Sequence, residues 1–423
     1  MANESVFLGY ERENGDVGVR NWVGVLSIMD NVNPITRAIC AAVEGTLPIT
    51  TLFVRGQYGK DLEITYESLA GMARNPNIAA VVLIGLEAQT TEEVARRIRP
   101  TGKRVEVVTV QDLEGGTVEA VAQGTRKAAR LAIAASGLRR KSVPASMLRI
   151  GVECGGSDTT SGLTCNPTIG RMSDRLVADG GTIVISETSE FFGAEHLFAE
   201  RAADGEVRKK FLDRVLGLER EAMSIGMDIR GTNPTPDNIR GGLTTIEEKA
   251  LGAMAKAGTR PLAGVLGYGE KPAGHGLHFM DAPAPAVENL TAFAAAGCQL
   301  IFFGTGVGNP IGNMVSPTVK VSGNVNTLRT MADNIDFDAS AILEKGARVA
   351  DLGDGLYDYA MEVASGTRTT SEVLDIQRQG RGLLLSSLID VAHGCGILTG
   401  PKTKRKTAAM GSRTLLACRR YRG

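Results

Sequence analysis

Four stretches of this 423-residue chain gather the residue types that act on small anions. The densest is Glu153-Cys154-Gly155-Gly156-Ser157-Asp158-Thr159-Thr160-Ser161-Gly162-Leu163-Thr164-Cys165-Asn166-Pro167. It follows a strand-like run and precedes a helical one, so its N–H groups and the helix N-terminus favour an anion. Its glycines and small hydroxyls let a ligand approach the backbone. A plain Gly/Ser/Thr turn has similar composition; the embedded Asp158 and the density of hydrogen-bonding side chains favour binding. The second stretch is Ser186-Glu187-Thr188-Ser189-Glu190, followed by Glu195-His196. Carboxylates at i and i+3, with a histidine six residues on, converge if a helix begins near Gly193. They then offer a hard-cation site or an acid/base pair. The structural alternative is a helix start whose acids complement the macrodipole.

The third stretch runs from Asn233 through Asn238, Gly241 and Gly242 to Lys249. Thr244 or Thr245 followed by Glu247 and Glu248 is a capping box, which explains those residues structurally. Capping needs neither Lys249 nor the Gly-Gly loop. A lysine one turn into a helix and facing an acidic ligand can act as base or electrostatic anchor. The fourth stretch, Phe303-Gly304-Thr305-Gly306-Val307-Gly308-Asn309-Pro310-Ile311-Gly312-Asn313, leads to Lys320. It matches a dinucleotide fingerprint loosely, but no acid sits on a following strand, and Asp333 lies in a helical pattern. It reads as an anion-cradling loop, and no nucleotide cofactor is expected. His275 and His278 flank a strand and read as hydrogen-bonded structural residues.

These stretches need a scaffold. Over the first 136 residues, apolar runs at 22–28, 47–54, 78–86 and 104–110 have strand length and β-branched content. Helical patterns at 34–43, 62–73, 92–98 and 117–135 separate them, with Pro34 in a first turn and Asn75-Pro76-Asn77 as a stop. Such alternation specifies an α/β fold with a parallel sheet covered on both faces. Its sites lie at the carboxyl ends of the strands. The expected organisation is a Rossmann-like domain over 1–136, a linker at 137–146 and a larger α/β catalytic domain over 147–379. The second region shows strands at 148–152 and 182–186 and helices at 168–178 and 206–225. Residues 380–423 form an atypical basic tail without periodicity.

Composition narrows the classes. The 47 Lys+Arg balance 47 Asp+Glu, and a hydrophobic fraction of 43% supports large cores. The longest apolar run, 78–86, falls far short of the roughly 20 residues of a membrane span. The N-terminus lacks a secretory pattern, and six cysteines suit a reducing cytoplasm. Residues 401–423 hold eight bases and no acid, leaving 39 bases against 47 acids elsewhere. An acidic body does not suit nucleic acid, and the tail reads as a solvated extension.

Six blocks in this order resemble the altronate/galactarate dehydratase family, which includes the large subunit of sulfolactate sulfo-lyase. They are GYERENGDVGVRN (9–21), ECGGSDTTSGLTCNPTIG (153–170), SETSEFFGAEHL (186–197), NPTPDNIRGGLTTIEEKALG (233–252), GLHFMD (276–281) and FFGTGVGNPIGN (302–313), with the later Lys320. The resemblance implies a metal-dependent lyase that removes water from a sugar acid, or sulfite from sulfolactate, to leave a 2-keto acid. Sugar-acid dehydration stands first of the two. It implies Lys249 and Asp158 as base and acid, in unassigned order, with Glu187 beside them. Arg20, Asn21, Ser157, Thr160, Ser161, Asn166, Asn238, Gly241, Gly242, Thr305 and Lys320 would hold the acidic substrate. Iron(II), or Mn2+ or Mg2+, would sit on Glu187, Glu190, His196 and Glu248, with Cys154 joining for a softer metal. The resemblance also implies a homo-oligomer and a small β-rich partner subunit, replacing a domain that single-chain members carry. Arg55-Gly56-Gln57-Tyr58-Gly59 lacks the His and Cys some dehydratases have there. GNPIGN and Asn334-Ile335-Asp336-Phe337-Asp338 resemble the sulfo-lyase branch, whereas ECGGSD resembles the sugar-acid branch. The rival from another class is a non-catalytic sugar-acid sensor.

Overall fold

A computed structural model describes residues 5–52 and 54–374; the basic tail expected over 380–423 lies outside them. Fourteen strands follow in chain order among the described residues: β1 (Val6–Glu11), β2 (Val17–Gly18), β3 (Trp22–Ser27), β4 (Thr46–Ile49), β5 (Ile78–Gly85), β6 (Arg104–Thr109), β7 (Lys141–Pro144), β8 (Arg149–Cys154), β9 (Thr182–Ile185), β10 (Leu262–Leu266), β11 (Gly276–Met280), β12 (Leu300–Gly304), β13 (Thr318–Ser322) and β14 (Phe337–Asp338). The α/β class expected from the alternation of periods is the one observed.

The first parallel sheet has the order β4-β3-β5-β6. Its runs are apolar because helices cover both faces, and β5 is buried along almost its whole length. The helices Asn33–Ala42, Gly59–Arg74, Ala88–Ile98 and Gly116–Ser136 fall where the 3.6-residue period places them. Glu87 caps the third by accepting from the Gln89 and Thr90 amides. Its buried face, Thr91, Val94, Ala95 and Ile98, keeps the spacing of an amphipathic helix.

The second parallel sheet has seven strands in the order β10-β11-β9-β8-β12-β13-β14. From β8 the chain moves to β9 on one side and later returns with β12 on the other. The β8–β12 junction is therefore the switch point of the sheet, where ligands of open α/β folds collect beyond the carboxyl ends. The loops after β8, β9 and β12 hold three of the four chemical stretches.

Segment 137–146, expected as a linker, contains β7. It pairs antiparallel with β1, Val6 opposite Pro144 and Gly9 opposite Lys141. Its polar composition suits an edge strand with one wet face, which a linker reading cannot distinguish. Asn75 and Asn77 stop their helix and also join the two parallel sheets. Asn75 Nδ2 donates to the Ala294 and Cys298 carbonyls, and Asn77 Nδ2 to those of Gln299 and Val315. Among the described residues no helix is long and apolar enough to cross a membrane.

Candidate active site

A cavity of about 280 Å³ opens at the carboxyl edge of the larger sheet. One wall is the segment after β8, with Ser157, Asp158, Thr159, Ser161 and Asn166; the other is the helix Ile246–Met254, with Glu248, Lys249 and Gly252. Lys249 is 9% exposed. Its Nζ donates to Glu190 Oε1 at 3.0 Å and to Asn233 Oδ1 at 2.7 Å. An ammonium has three N–H donors, so one remains for the cavity. Glu190 Oε2 is buried and has no hydrogen-bond partner.

Behind this pair lies a second. Lys256 continues the same helix in the 3₁₀ turn Ala255–Ala257, seven residues from Lys249. Seven residues are close to two helical turns, so both lysines face the turn Thr188–Phe191. Lys256 Nζ lies 2.7 Å from Glu187 Oε2 and 3.2 Å from Cys154 Sγ. The Cys154 amide donates to Glu187 Oε2 at 3.1 Å. Burial pushes the Glu187 carboxyl up to about 7; the Glu190 charge adds to this and the Lys256 cation pulls it back. Burial, with the Glu187 charge, raises Glu153 well above the carboxylate range, and burial raises the Cys154 thiol. Burial opposes the Lys256 ammonium, but Cys154 and Glu187 facing it outweigh that and raise its pKa.

Four phenylalanines fix the carboxylate turn. The rings of Phe191, Phe198, Phe211 and Phe279 meet edge-on, with centroid separations from 4.9 Å (Phe191–Phe198) to 5.4 Å (Phe191–Phe211). Each such pair adds about 0.5–1.5 kcal/mol beyond its buried area. Glu187 is the one non-glycine residue with positive φ (71°) among the described residues. A left-handed L residue costs roughly 1–3 kcal/mol and persists where its surroundings over-determine it.

The remaining expected residues divide between cavity wall and framework. Asp158 stands on the wall, but its carboxylate is a helix cap. Oδ1 accepts from Ser161 N at 2.9 Å and Thr160 Oγ1 at 2.7 Å, and Oδ2 from Asn324 Nδ2 at 2.7 Å. Ser157 and Asn166 also stand there; Asn166 Nδ2 donates to the Gly252 carbonyl and bridges the walls. Asn238, Gly241 and Gly242 support the wall from behind: Asn238 Nδ2 donates to the Ser157 carbonyl and Gly241 O accepts from Thr159 N.

Arg20, Asn21, Thr305 and Lys320 do not reach the cavity. All five Arg20 donors are engaged, by Glu372 and by the carbonyls of Val19, Val363 and Thr367. Asn21 joins Arg12 to the Ala135 carbonyl. Lys320 Nζ is satisfied by the Pro310 and Ile311 carbonyls and Ser371 Oγ, and burial lowers it to about 8 against the pull of Asp336. Within the loop 303–313, expected to cradle an anion, the amides of residues 305–308 are paired inside the protein. Gly306 N and Val307 N both donate to the Gly156 carbonyl, Gly308 N to Thr305 Oγ1, and Thr305 N to the Val321 carbonyl. Its glycines permit loop-to-loop contact: a Cβ on Gly306 would meet the Asp158 carboxylate at 2.2 Å.

The expected metal ligands do not assemble. Among the described residues no three His, Cys, Asp or Glu side chains converge to hold a metal ion. A helix does begin at Glu195, but Phe198 turns into the core, and His196, some 200° away around the axis, faces solvent. Glu248 Oε2 accepts from the amide and hydroxyl of Thr244, which is the capping role. Glu187 and Cys154 carry Lys256, and Glu190 carries Lys249. The donor set does not fit a metal, so no step is derived through one.

Three groups went unread in the sequence: Lys256, Asn233 as a lysine acceptor, and Asn324 on Asp158. Lys256 had a signal, the heptad spacing from Lys249 opposite carboxylates one turn apart.

The cavity, with Lys249 and its Glu190 partner on one wall, lies at the switch point of a parallel α/β sheet, where open α/β folds bind their ligands. Residues 145–381 match the family described as D-galactarate/Altronate dehydratase, C-terminal, and residues 9–136 match D-galactarate dehydratase/Altronate hydrolase, second domain. The chain is 42% identical to the (2R)-sulfolactate sulfo-lyase subunit beta of Chromohalobacter salexigens over 87% of this chain and 95% of that one. It is 35% identical to altronate dehydratase of Bacillus subtilis over 89% of this chain and 77% of that one. Against galactarate dehydratase (L-threo-forming) of Escherichia coli the identity is 29%, over 86% and 73%. The chain belongs to the galactarate/altronate dehydratase family and is an enzyme of the lyase class.

Proposed function

We propose that the chain catalyses β-elimination from a small 2-hydroxy acid to give a 2-keto acid, with the Lys249–Glu190 pair moving the proton. The observation that carries this reading is the Lys249 ammonium at the cavity wall, held by Glu190 and Asn233 with one donor free. That donor binds the substrate carboxylate and stabilises the enolate charge as the C2 proton leaves. Glu190 acts through Lys249: Nζ passes one of its protons to Glu190 Oε1 and takes the C2 proton in its place. The C3 substituent departs with its bonding electron pair, as sulfite, or as water once the proton taken from C2 is returned to the leaving oxygen, and the enol tautomerises to the keto acid.

Similarity over nearly the whole length of the sulfo-lyase subunit supports (2R)-sulfolactate as substrate. Sugar-acid dehydration is the second reading, supported by the altronate dehydratase relatives. Because the sulfo-lyase relative is named as a subunit beta, we include a small partner subunit in the proposal. The test is turnover of sulfolactate, altronate and galactarate, with keto acid and sulfite assayed separately, with and without a small subunit. Sulfite release supports the first substrate and keto acid alone the second. A chelator arm, with Fe2+, Mn2+ or Mg2+ restored, tests the expected metal requirement. Lys249→Met should remove turnover in every arm from protein that still folds, with a lowered melting temperature because the buried Glu190 loses its cation; a turning-over K249M would overturn the mechanism.

A further inference from the structure

The inner pair sits where it cannot touch a substrate, yet the outer pair is built on it. Lys256 and Glu187 side chains are 0% and 1% exposed, and neither lines the cavity. Glu187 is also the residue in the left-handed conformation, at the start of the 3₁₀ turn that carries Glu190. Its carboxylate is held from two sides, by Lys256 and by the amide of Cys154 at the end of β8. Its main-chain carbonyl accepts the Glu190 amide at 2.8 Å. The side chain thus fixes the backbone of residue 187, and that backbone fixes Glu190 against Lys249. Thr188 secures the far side of the turn, its amide donating to the Ala282 carbonyl and its hydroxyl to Asp281.

We propose that Lys256 and Glu187 are a positioning pair: their contact holds residue 187 in the left-handed conformation and so delivers Glu190 to Lys249 at the cavity wall. This rests on the reading of Lys249 and Glu190 as the proton-moving pair. Glu187, a catalytic and metal-ligand expectation of the sequence, becomes a residue that acts through its neighbour. The stake is geometric, since misplacement by about 1 Å in such a pair costs on the order of 10²-fold in rate.

The test uses two variants and two readouts. Lys256→Met breaks the contact and should lower kcat on the order of 10²-fold with KM little changed, because the wall after β8 stays intact. The double variant E187G/K256M leaves no unpaired buried charge and gives residue 187 the backbone freedom of glycine. It should recover at least about tenfold in kcat over K256M. The second readout is the acetylation rate of Lys249, followed by mass spectrometry without substrate. It should rise in K256M, where Glu190 no longer holds the amine, and fall back in the double variant. A folded K256M with parental kcat and labelling overturns the proposal. So does a folded double variant with labelling as fast as in K256M. If K256M does not fold, the double variant is compared with the parent: parental labelling supports the proposal and faster labelling overturns it. Labelling does not depend on turnover, so an active K249M would sink the proposed mechanism without deciding the positioning role.

Discussion

At the scale of single residues, one cluster mixes groups that were legible with groups that were not. Lys249 stood out because capping did not need it, and it faces the cavity. Asp158 stood out as an acid embedded in a Gly/Ser/Thr turn, yet the helix cap and Asn324 use most of its acceptor capacity. A carboxylate at a helix start has the same spacing whether it binds a ligand or an amide, so sequence alone cannot separate the two. Glu187 yields a prediction about pH. Its folded value of about 7 exceeds the ordinary 4.5, so between these the native state binds more protons than the unfolded one. Its contribution to stability is therefore full below about 4.5 and lost as pH rises through about 7. The melting temperature of the parent should decline across that window relative to Glu187→Gln, which has no such group. Parallel curves for the two proteins would rule this out.

At the scale of elements, the strands and helices of the first region were readable because burial on both sheet faces demands β-branched runs, and each helix keeps one apolar face. β7 was missed because a short polar edge strand has the composition of a loop. The loop 303–313 was expected to cradle an anion, but what lies against it at 306–307 is the loop after β8. Glycine in sequence records only that something comes near. Its position gives a second prediction. Gly306→Ala places a Cβ against the Asp158 carboxylate and should displace that cap, at about 1 kcal/mol of stability. The cavity wall should move with it, raising KM. Gly205→Ala, where nothing lies within 4 Å of the added carbon, is the matched control and should behave as the parent. Equal kinetics for the two variants would refute the role assigned to the loop contact.

At the scale of the whole molecule, the order of the chemical blocks identified the family, but long-range framework contacts remained unread. Arg20, expected at the substrate, instead ties the N-terminal segment to Glu372 in a bidentate pair, both side chains 7% exposed. Removing one partner of a buried pair strands the other charge, so Arg20→Ala should cost about 3–5 kcal/mol. The double replacement R20M/E372L should return most of that, read as denaturant midpoints. A single variant as stable as the parent would show the clamp to be idle. Nothing local in GVRN marks this partner, because the residues that meet lie 352 positions apart.

That separation also sets a timetable. Chains emerge from the ribosome at about 5–20 residues per second, and N-terminal units fold first. The sheet β4-β3-β5-β6 can assemble as soon as residue 109 is out. Arg20 must wait roughly 13–53 s longer for the carbonyls at 363 and 367 and the carboxylate at 372. Until then a buried-type arginine stands in water without its anion. Closure of the N-terminal segment thus reports, within the nascent chain, that synthesis has passed residue 372.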